Sequence, residues 1–209
     1  MFPDLPVGRE SFTTADDTPA EAACVVEFWQ EAGPDLWFAK DAGFDCLFHT
    51  RFLSWHEKAA GDELAGWRRS TCGALALLLL LDQFPRNIFR GSGRAFESND
   101  IALEHARAAL DAGFDRQVDA KRRQFFYLPF EHSESLADQD RAIALFAERM
   151  PGENLIHAQL HRDTIATFGR FPWRNAALGR PSTPEEQALL DAGGYGALVS
   201  GKVSLADAG

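Results

Sequence analysis

The sequence predicts an all-α domain of about eight or nine helices in stacked antiparallel pairs, with no sheet. Apolar residues recur at three- and four-residue steps through most of the chain, which is the period of an amphipathic helix. Proline and glycine punctuate the chain at short intervals, so the connections between helices should be short. No segment combines alternating apolar and polar residues with β-branched residues, so no strand is expected.

A chain of 209 residues, 45% of them hydrophobic, can bury one sizeable core without disulfides or a metal. We expect a flexible N-terminus at residues 1–17, a single helical domain at residues 18–194 and a loosely packed C-terminal tail at residues 195–209. The 3 cysteines are odd in number and widely spaced, as in a protein of the reducing cytoplasm. The first residues contain no export signal, because no apolar run follows a basic start.

The first helices are predicted from caps and from apolar spacing. Thr18 and Glu21 form a capping box with Pro19 at the first helical position, and the helix should end at Gly33. A second helix follows, because large apolar residues recur there at helical spacing. These residues are Phe44, Leu47, Phe48, Phe52 and Trp55.

Residues 72–84 are apolar on almost every side, so their helix should be central and covered by its neighbours. Leucine and alanine dominate the segment, which favours a helix over a buried strand. Pro85 is expected to end this helix. The longest apolar run, residues 74–81, is far shorter than the roughly 20 residues that cross a bilayer, so no membrane partner is expected.

The second half of the chain predicts further helices with clear boundaries. Ser98 and Ser135 are placed to cap two of them, and Thr183 forms a second capping box with Glu186. Pro129 is expected to end another. These helices are expected at residues 98–113, 119–128, 135–151, 153–168 and 183–193.

Charge is distributed unevenly along the chain. The formal net charge is −10, which predicts no nucleic-acid partner because such binding usually requires a basic face. The arginines concentrate in residues 82–94 and 161–180, which carry net charges of +2 and +3. A positive patch on an acidic protein can attract an anionic small molecule or an acidic peptide, although such arginines often pair with carboxylates of the same chain.

These two arginine-rich segments repeat one short motif. It reads FPRN at residues 84–87, which we call the first corner, and FPWRN at residues 171–175, which we call the second corner. Arginine and asparagine beside a proline turn can hold carbonyl groups, carboxylates or a ligand in a fixed geometry. Asp82, directly before the first corner, is costly to bury unless an arginine pairs with it.

Residues 127–134 form a second polar cluster beside a proline. Within it, His132 can act as a general acid or base if Glu131 or Glu134 orients its imidazole. The alternative is a helix-entry network in which a serine caps the helix and Glu134 lies near its positive end. Ser133 cannot join His132 in a nucleophilic relay, because the side chains of consecutive residues diverge.

His157 and His161 are four residues apart on one helical face, a spacing that can chelate a metal. Zinc proteases require a glutamate directly after the first histidine, where this chain has Ala158, and no third ligand has a suitable spacing. We therefore predict no metal and no cofactor. His161 is interpreted as a polar member of an internal network.

Three segments, residues 75–100, 125–140 and 161–190, resemble in order the motifs of the bacterial domain-of-unknown-function family 924. The resemblance implies an all-α fold of the tetratricopeptide-like superfamily in a soluble intracellular protein, and no established activity. Trp173 departs from the histidine of the family pattern, and His157 is not part of it. The candidate binding residues all match the motifs: Asp82, Gln83, Arg86, Asn87, Arg90, Tyr127, His132, Glu134, His161, Arg170, Arg174 and Asn175.

Three functions remain open on the sequence, which gives no oligomeric state. The first, which we favour narrowly, is a binding module whose arginines and histidines line a cleft for an anionic small molecule or an acidic peptide. The second is a hydrolase or lyase, with His132, Glu134 and His161 as candidate catalytic residues. In the third, the motifs only fix the turns between helices, and a protein partner binds at another surface of the molecule.

Overall fold

The structure, a computed structural model, describes residues 18–205. These residues contain helices and no strand, so the predicted all-α class is confirmed. The helices are α1 Ala20–Ala32, α2 Pro34–Trp37, α3 Ala42–Ala60, α4 Thr71–Leu78, α5 Phe84–Ile88, α6 Asn99–Asp111, α7 Ala120–Arg123, α8 Leu128–Glu131, α9 Leu136–Arg149, α10 Glu153–Phe168, α11 Pro184–Ala192 and α12 Tyr195–Val199. The predicted flexible N-terminus at residues 1–17 lies outside the described residues, as do residues 206–209.

The core surrounds α4, as the apolar sequence of this helix predicts. Residues 72–84 are all buried, and α1 and α6 pack against α4. Aromatic rings fill the space between α1 and α3, where the ring of Phe48 lies 5.4 Å from those of both Phe28 and Trp29. Further along, α9 and α10 pack against each other across the short connection at residues 150–152, as an antiparallel pair does.

Pro85 does not end the central helix, contrary to the prediction. The chain widens after α4 into a π-helical turn at Leu79–Gln83, in which the N–H of Phe84 donates to the carbonyl of Leu79. Pro85 then lies in the first turn of α5, where a missing N–H costs little. Pro129 likewise starts α8 instead of ending a helix. Each proline therefore begins a helical segment.

The predicted caps have different outcomes. Thr183 and Glu186 form the complete capping box of α11. No side chain caps α1, which begins after Pro19, so the box predicted at Thr18 is absent there. Ser98 occupies the N-cap position of α6 without donating or accepting a capping hydrogen bond.

The C-terminal segment differs from the predicted loose tail over the part that is described. Residues 195–199 form α12, which packs against α10 and α11 and buries Ala197 and Leu198. Two apolar residues are too few to give a readable helical period, which is why the sequence does not predict this helix. None of the helices in residues 18–205 is long and apolar enough to cross a membrane.

Candidate functional site

The site begins at the π-helical turn. The carbonyl of Leu80 accepts a hydrogen bond from Nδ1 of His56 at 2.9 Å, and the carbonyl of Leu81 accepts one from Oγ of Ser98 at 2.5 Å. These side chains bind backbone groups of a turn that departs from the α-helical register. Such π turns are frequent at functional sites. The turn places Asp82 inside the protein, where it is only 1% exposed.

Three side chains surround the Asp82 carboxylate. Arg86 pairs with it at 2.9 Å, Gln83 donates to it at 2.6 Å, and Nδ1 of His132 lies 2.9 Å from both of its oxygens. Burial alone would raise the pKa of Asp82, but Arg86 and His132 lower that pKa to about 2. The carboxylate is therefore charged at neutral pH, and Arg86 also donates to Asn99 at 2.9 Å.

The contact with Asp82 determines the tautomer of His132. Because a carboxylate only accepts hydrogen bonds, Nδ1 of His132 carries the proton and Nε2 has a lone pair. Burial lowers the pKa of His132 to about 4, Arg86 acts in the same direction, and Asp82 opposes them. Within residues 18–205, Nε2 has no hydrogen-bond partner. The imidazole is thus neutral at pH 7 with a free acceptor.

His132 borders a cavity of about 580 Å³, a volume typical of small-molecule sites. Its walls combine apolar and polar side chains from α2, α7, α8, α10 and α12. The apolar residues are Pro34, Trp37, Phe38 and Leu128. The polar residues are Lys121, Gln124, Glu131, His132, Glu153, Asn154, His157, His161 and Tyr195.

A second carboxylate–imidazole pair lies in the same cavity. Nδ1 of His161 is 3.0 Å from Glu131 and 2.9 Å from the carbonyl of His157, two acceptors that both require a proton on this nitrogen. The hydroxyl of Tyr195 is hydrogen-bonded to Nδ1 of His157 at 2.5 Å. Burial raises the pKa of Tyr195, so its hydroxyl stays protonated. His161 is therefore paired with Glu131 in the wall of the larger cavity.

His132 also borders a smaller cavity of about 220 Å³. Arg174 lines this cavity and is only 5% exposed, with its guanidinium 4.3 Å from the ring centre of Phe171 and 4.8 Å from that of Phe96. The guanidinium of Arg86 lies 5.9 Å from the same Phe96 ring. The two corners therefore meet at Phe96.

Several predicted site residues lie elsewhere in internal pairs. Arg90 binds Asp45 and a backbone carbonyl, and Arg170 forms a two-point pair with Glu186. The hydroxyl of Tyr127 donates to the fully buried Asp115 at 2.7 Å. None of Arg90, Tyr127 and Arg170 lines either of the two cavities.

Glu134 lines the smaller cavity, but it does not orient His132. Its carboxylate pairs with Arg180 at 2.7 Å and accepts the N–H of Phe171 at 2.9 Å. The orienting carboxylate is Asp82, which the sequence hypothesis had paired only with arginines. Glu131 was the other expected partner, and it binds His161 instead.

The two asparagines of the corners are both buried. Asn175 donates to Glu186 and accepts from Arg180, each at 3.1 Å, and so holds the second corner. The side-chain nitrogen of Asn87 has no hydrogen-bond partner in the described part of the chain. Neither asparagine lines either of the two cavities.

Sequence reasoning missed several residues of the site. Asn99 binds Arg86, and Trp37, Phe38 and Tyr195 line the larger cavity. No sequence motif marks any of these four residues. His56 lies among the apolar residues of α3, and no motif marks it either. In the described part of the chain, no group of three or more His, Cys, Asp or Glu side chains is arranged to hold a metal ion.

Comparison with known proteins places the chain in a family. Residues 25–194 match the model of the family described as bacterial protein of unknown function, DUF924. A solved structure of a protein of unknown function from Agrobacterium tumefaciens is 49% identical with a TM-score of 0.80, over 82% of this chain and 97% of that chain. No curated protein matches the chain. Because the family model spans most of its residues, this protein belongs to the DUF924 family.

Proposed function

We propose that the protein is an enzyme of the hydrolase or lyase type, in which His132 performs acid–base chemistry on a small organic substrate. One observation carries the proposal. The buried Asp82 holds Nδ1–H of His132, while the unpartnered Nε2 belongs to an imidazole that borders two cavities. An oriented imidazole with a free nitrogen beside a cavity is the arrangement that general acid–base catalysis requires.

The proposed chemistry moves one proton through Nε2. In hydrolysis, Nε2 takes a proton from water, the water oxygen bonds to the electrophilic atom of the substrate, and the leaving group departs with the proton that the imidazolium returns. In elimination, Nε2 takes the proton from carbon, the electron pair forms the double bond, and the leaving group receives the proton. In both cases the Asp82 carboxylate stabilises the imidazolium.

A binding module without chemistry is the second candidate. The observation that favours it is the low pKa of His132, about 4, because an imidazole with this pKa is a weak base at neutral pH. A substrate with a negative charge beside His132 would raise the pKa of its imidazole and so make it a stronger base. Activity measurements separate the two candidates.

The test is a substrate panel of carboxylic esters, phosphate esters and 2-hydroxy acids, measured with the wild type and with His132→Gln. We expect His132→Gln to lower kcat by at least about 100-fold, because general acid–base catalysis contributes a factor of that order. His49→Gln is the matched control, since His49 is exposed on α3. Equal turnover in His132→Gln and wild type contradicts the proposal. Saturable binding without turnover in both proteins supports the binding module.

A further inference from the structure

Arg174 carries a buried charge that the chemistry proposed for His132 does not use. The residue is only 5% exposed, yet within residues 18–205 its guanidinium forms no ion pair and donates no hydrogen bond. A buried cation without a counter-ion is costly. The arginines around it differ, because Arg86, Arg170 and Arg180 are paired with Asp82, Glu186 and Glu134 respectively.

A second cation adds to this cost. Arg86 and Arg174 approach the same Phe96 ring, at 5.9 Å and 4.8 Å, and only Arg86 is paired with a carboxylate. Burial lowers the pKa of Arg174 to about 9, and the charge of Arg86 acts in the same direction. Arg174 nevertheless remains charged at pH 7. The smaller cavity therefore has an excess of positive charge beside it.

The other walls of this cavity offer hydrogen-bond donors. Asn99 lines it and uses its side-chain oxygen for Arg86, which leaves the amide N–H₂ group for a ligand. Asn99 and Asp100 also begin α6, a helix of 13 residues whose N-cap Ser98 binds the Leu81 carbonyl instead of capping it. The uncapped first-turn N–H groups and the helix dipole add positive potential beside the cavity.

The two carboxylates that line this cavity form no ion pair with Arg174, although the charge of Glu134 acts against the lowering of the pKa of Arg174. Glu134 is already paired with Arg180, at 2.7 and 3.0 Å, and also accepts the N–H of Phe171. Asp100 is exposed, so water screens its charge. Neither residue forms an ion pair with Arg174.

We infer that the smaller cavity is an oxyanion subsite, in which Arg174 binds the carboxylate or phosphate group of a small molecule. The planar guanidinium, held between Phe96 and Phe171, can donate two parallel hydrogen bonds to such a group. A cavity of about 220 Å³ admits the anionic group with a few attached atoms but is smaller than the sites of drug-sized ligands. The inference rests on the proposed function in one respect only: it takes the bound anionic group to be part of the substrate on which His132 acts. His132 borders the same cavity.

The experiment measures the thermal unfolding midpoint against phosphate and, separately, against acetate, at constant ionic strength set with sodium chloride. We expect a saturable rise of about 3 °C at ten times the dissociation constant of the anion that fits. Arg174→Met should abolish the rise, and Arg174→Lys should weaken it, because lysine cannot form the two-point contact. The control is Arg162→Met, since Arg162 pairs with Asp140 and Asp163 away from both cavities.

The stability of Arg174→Met without anion gives an independent check. If Arg174 serves an anion, removing its unpaired charge should leave the midpoint unchanged or raise it. A purely structural arginine would instead lower it. An absent response in the wild type to both anions overturns the inference, as does an equal response in Arg174→Met. The response should persist in His132→Gln, so anion binding and catalysis can fail separately.

Discussion

Three histidines whose pKa values are lowered in the folded protein make its stability depend on pH. Burial lowers the pKa of His132 and that of His105 to about 4, and it also lowers the pKa of His56. In the unfolded chain these groups bind protons near pH 6.5, whereas in the folded protein they do not until a lower pH. The unfolded state therefore binds more protons in this interval, and stability must decrease as the pH falls from 6.5 to 4.

We expect His132→Gln to reduce this pH dependence, because one of the three histidines no longer titrates. The measurement is urea unfolding of the wild type and the variant at pH 7 and pH 5. The loss of free energy of unfolding between these pH values should be smaller in the variant. His49→Gln, at an exposed position, should match the wild type. An equal pH dependence in His132→Gln would show that His132 is not held neutral by the fold.

Tyr127 provides a contrast, because its hydroxyl lies in a buried network with Asp115 and Arg149. We expect Tyr127→Phe to lower the free energy of unfolding by about 1.5–3 kcal/mol, the range for a hydrogen bond to a charged group. Anion binding and any turnover should be unchanged. If Tyr127→Phe lost ligand binding while keeping the stability of the wild type, Tyr127 would be a binding residue.

At the scale of elements, the π-helical turn at residues 79–83 is the part of the fold that most directly shapes the site. A regular α-helix through these residues would rotate Asp82 away from its present direction. His56 and Ser98 bind the carbonyls of Leu80 and Leu81 in this turn, so we expect them to stabilise it.

We expect Ser98→Ala to lower the free energy of unfolding by about 1–3 kcal/mol, because the buried carbonyl of Leu81 loses its side-chain partner. The measurement is denaturant unfolding, with Ser54→Ala on the exposed face of α3 as control. The control should change stability by less than about 0.5 kcal/mol. If Ser98→Ala is as stable as the control, the turn does not need this contact.

The helices differ in how far the sequence predicts them. The bounds of α10 and α11 agree closely with prediction, because an apolar face and a capping box are local features. The π-helical turn is not predictable in this way, since the run of leucines reads as one continuous helix. The side chains that bind its carbonyls, His56 and Ser98, are distant in sequence, and α12 likewise packs against α10, which is distant in sequence.

The same distinction applies to the candidate site. The repeated motif marks Arg86 and Arg174 as candidate site residues, and in the structure both lie near the ring of Phe96. The motif does not predict which carboxylate pairs with each polar side chain. Asp82 and His132 are 50 positions apart, and Glu131 pairs with His161 although His132 is its neighbour in sequence. These pairings follow from burial, which favours contacts between opposite charges that are close in three dimensions and not in sequence.

At the scale of the whole molecule, Arg86 links α5 to α6 and to the cluster around His132. We expect Arg86→Ala to lower the free energy of unfolding by about 3–5 kcal/mol, because it leaves the buried Asp82 carboxylate with fewer partners. The double variant Arg86→Ala, Asp82→Asn should lose less than the sum of the single variants. Denaturant unfolding of the four proteins measures this coupling. Additive losses would mean that the pair is not energetically linked.

The meeting of the corners at Phe96 has a consequence for how the protein is made. The corners are 87 positions apart, counted from Phe84 to Phe171, so contacts between them close a long loop and carry its entropic cost. On a ribosome, the nascent chain contains the residues of α1 to α6 well before Arg174 is synthesised. The proposed anion binding therefore requires a chain that extends through Arg174, and we expect a product that ends before this residue to show no stabilisation by phosphate or acetate.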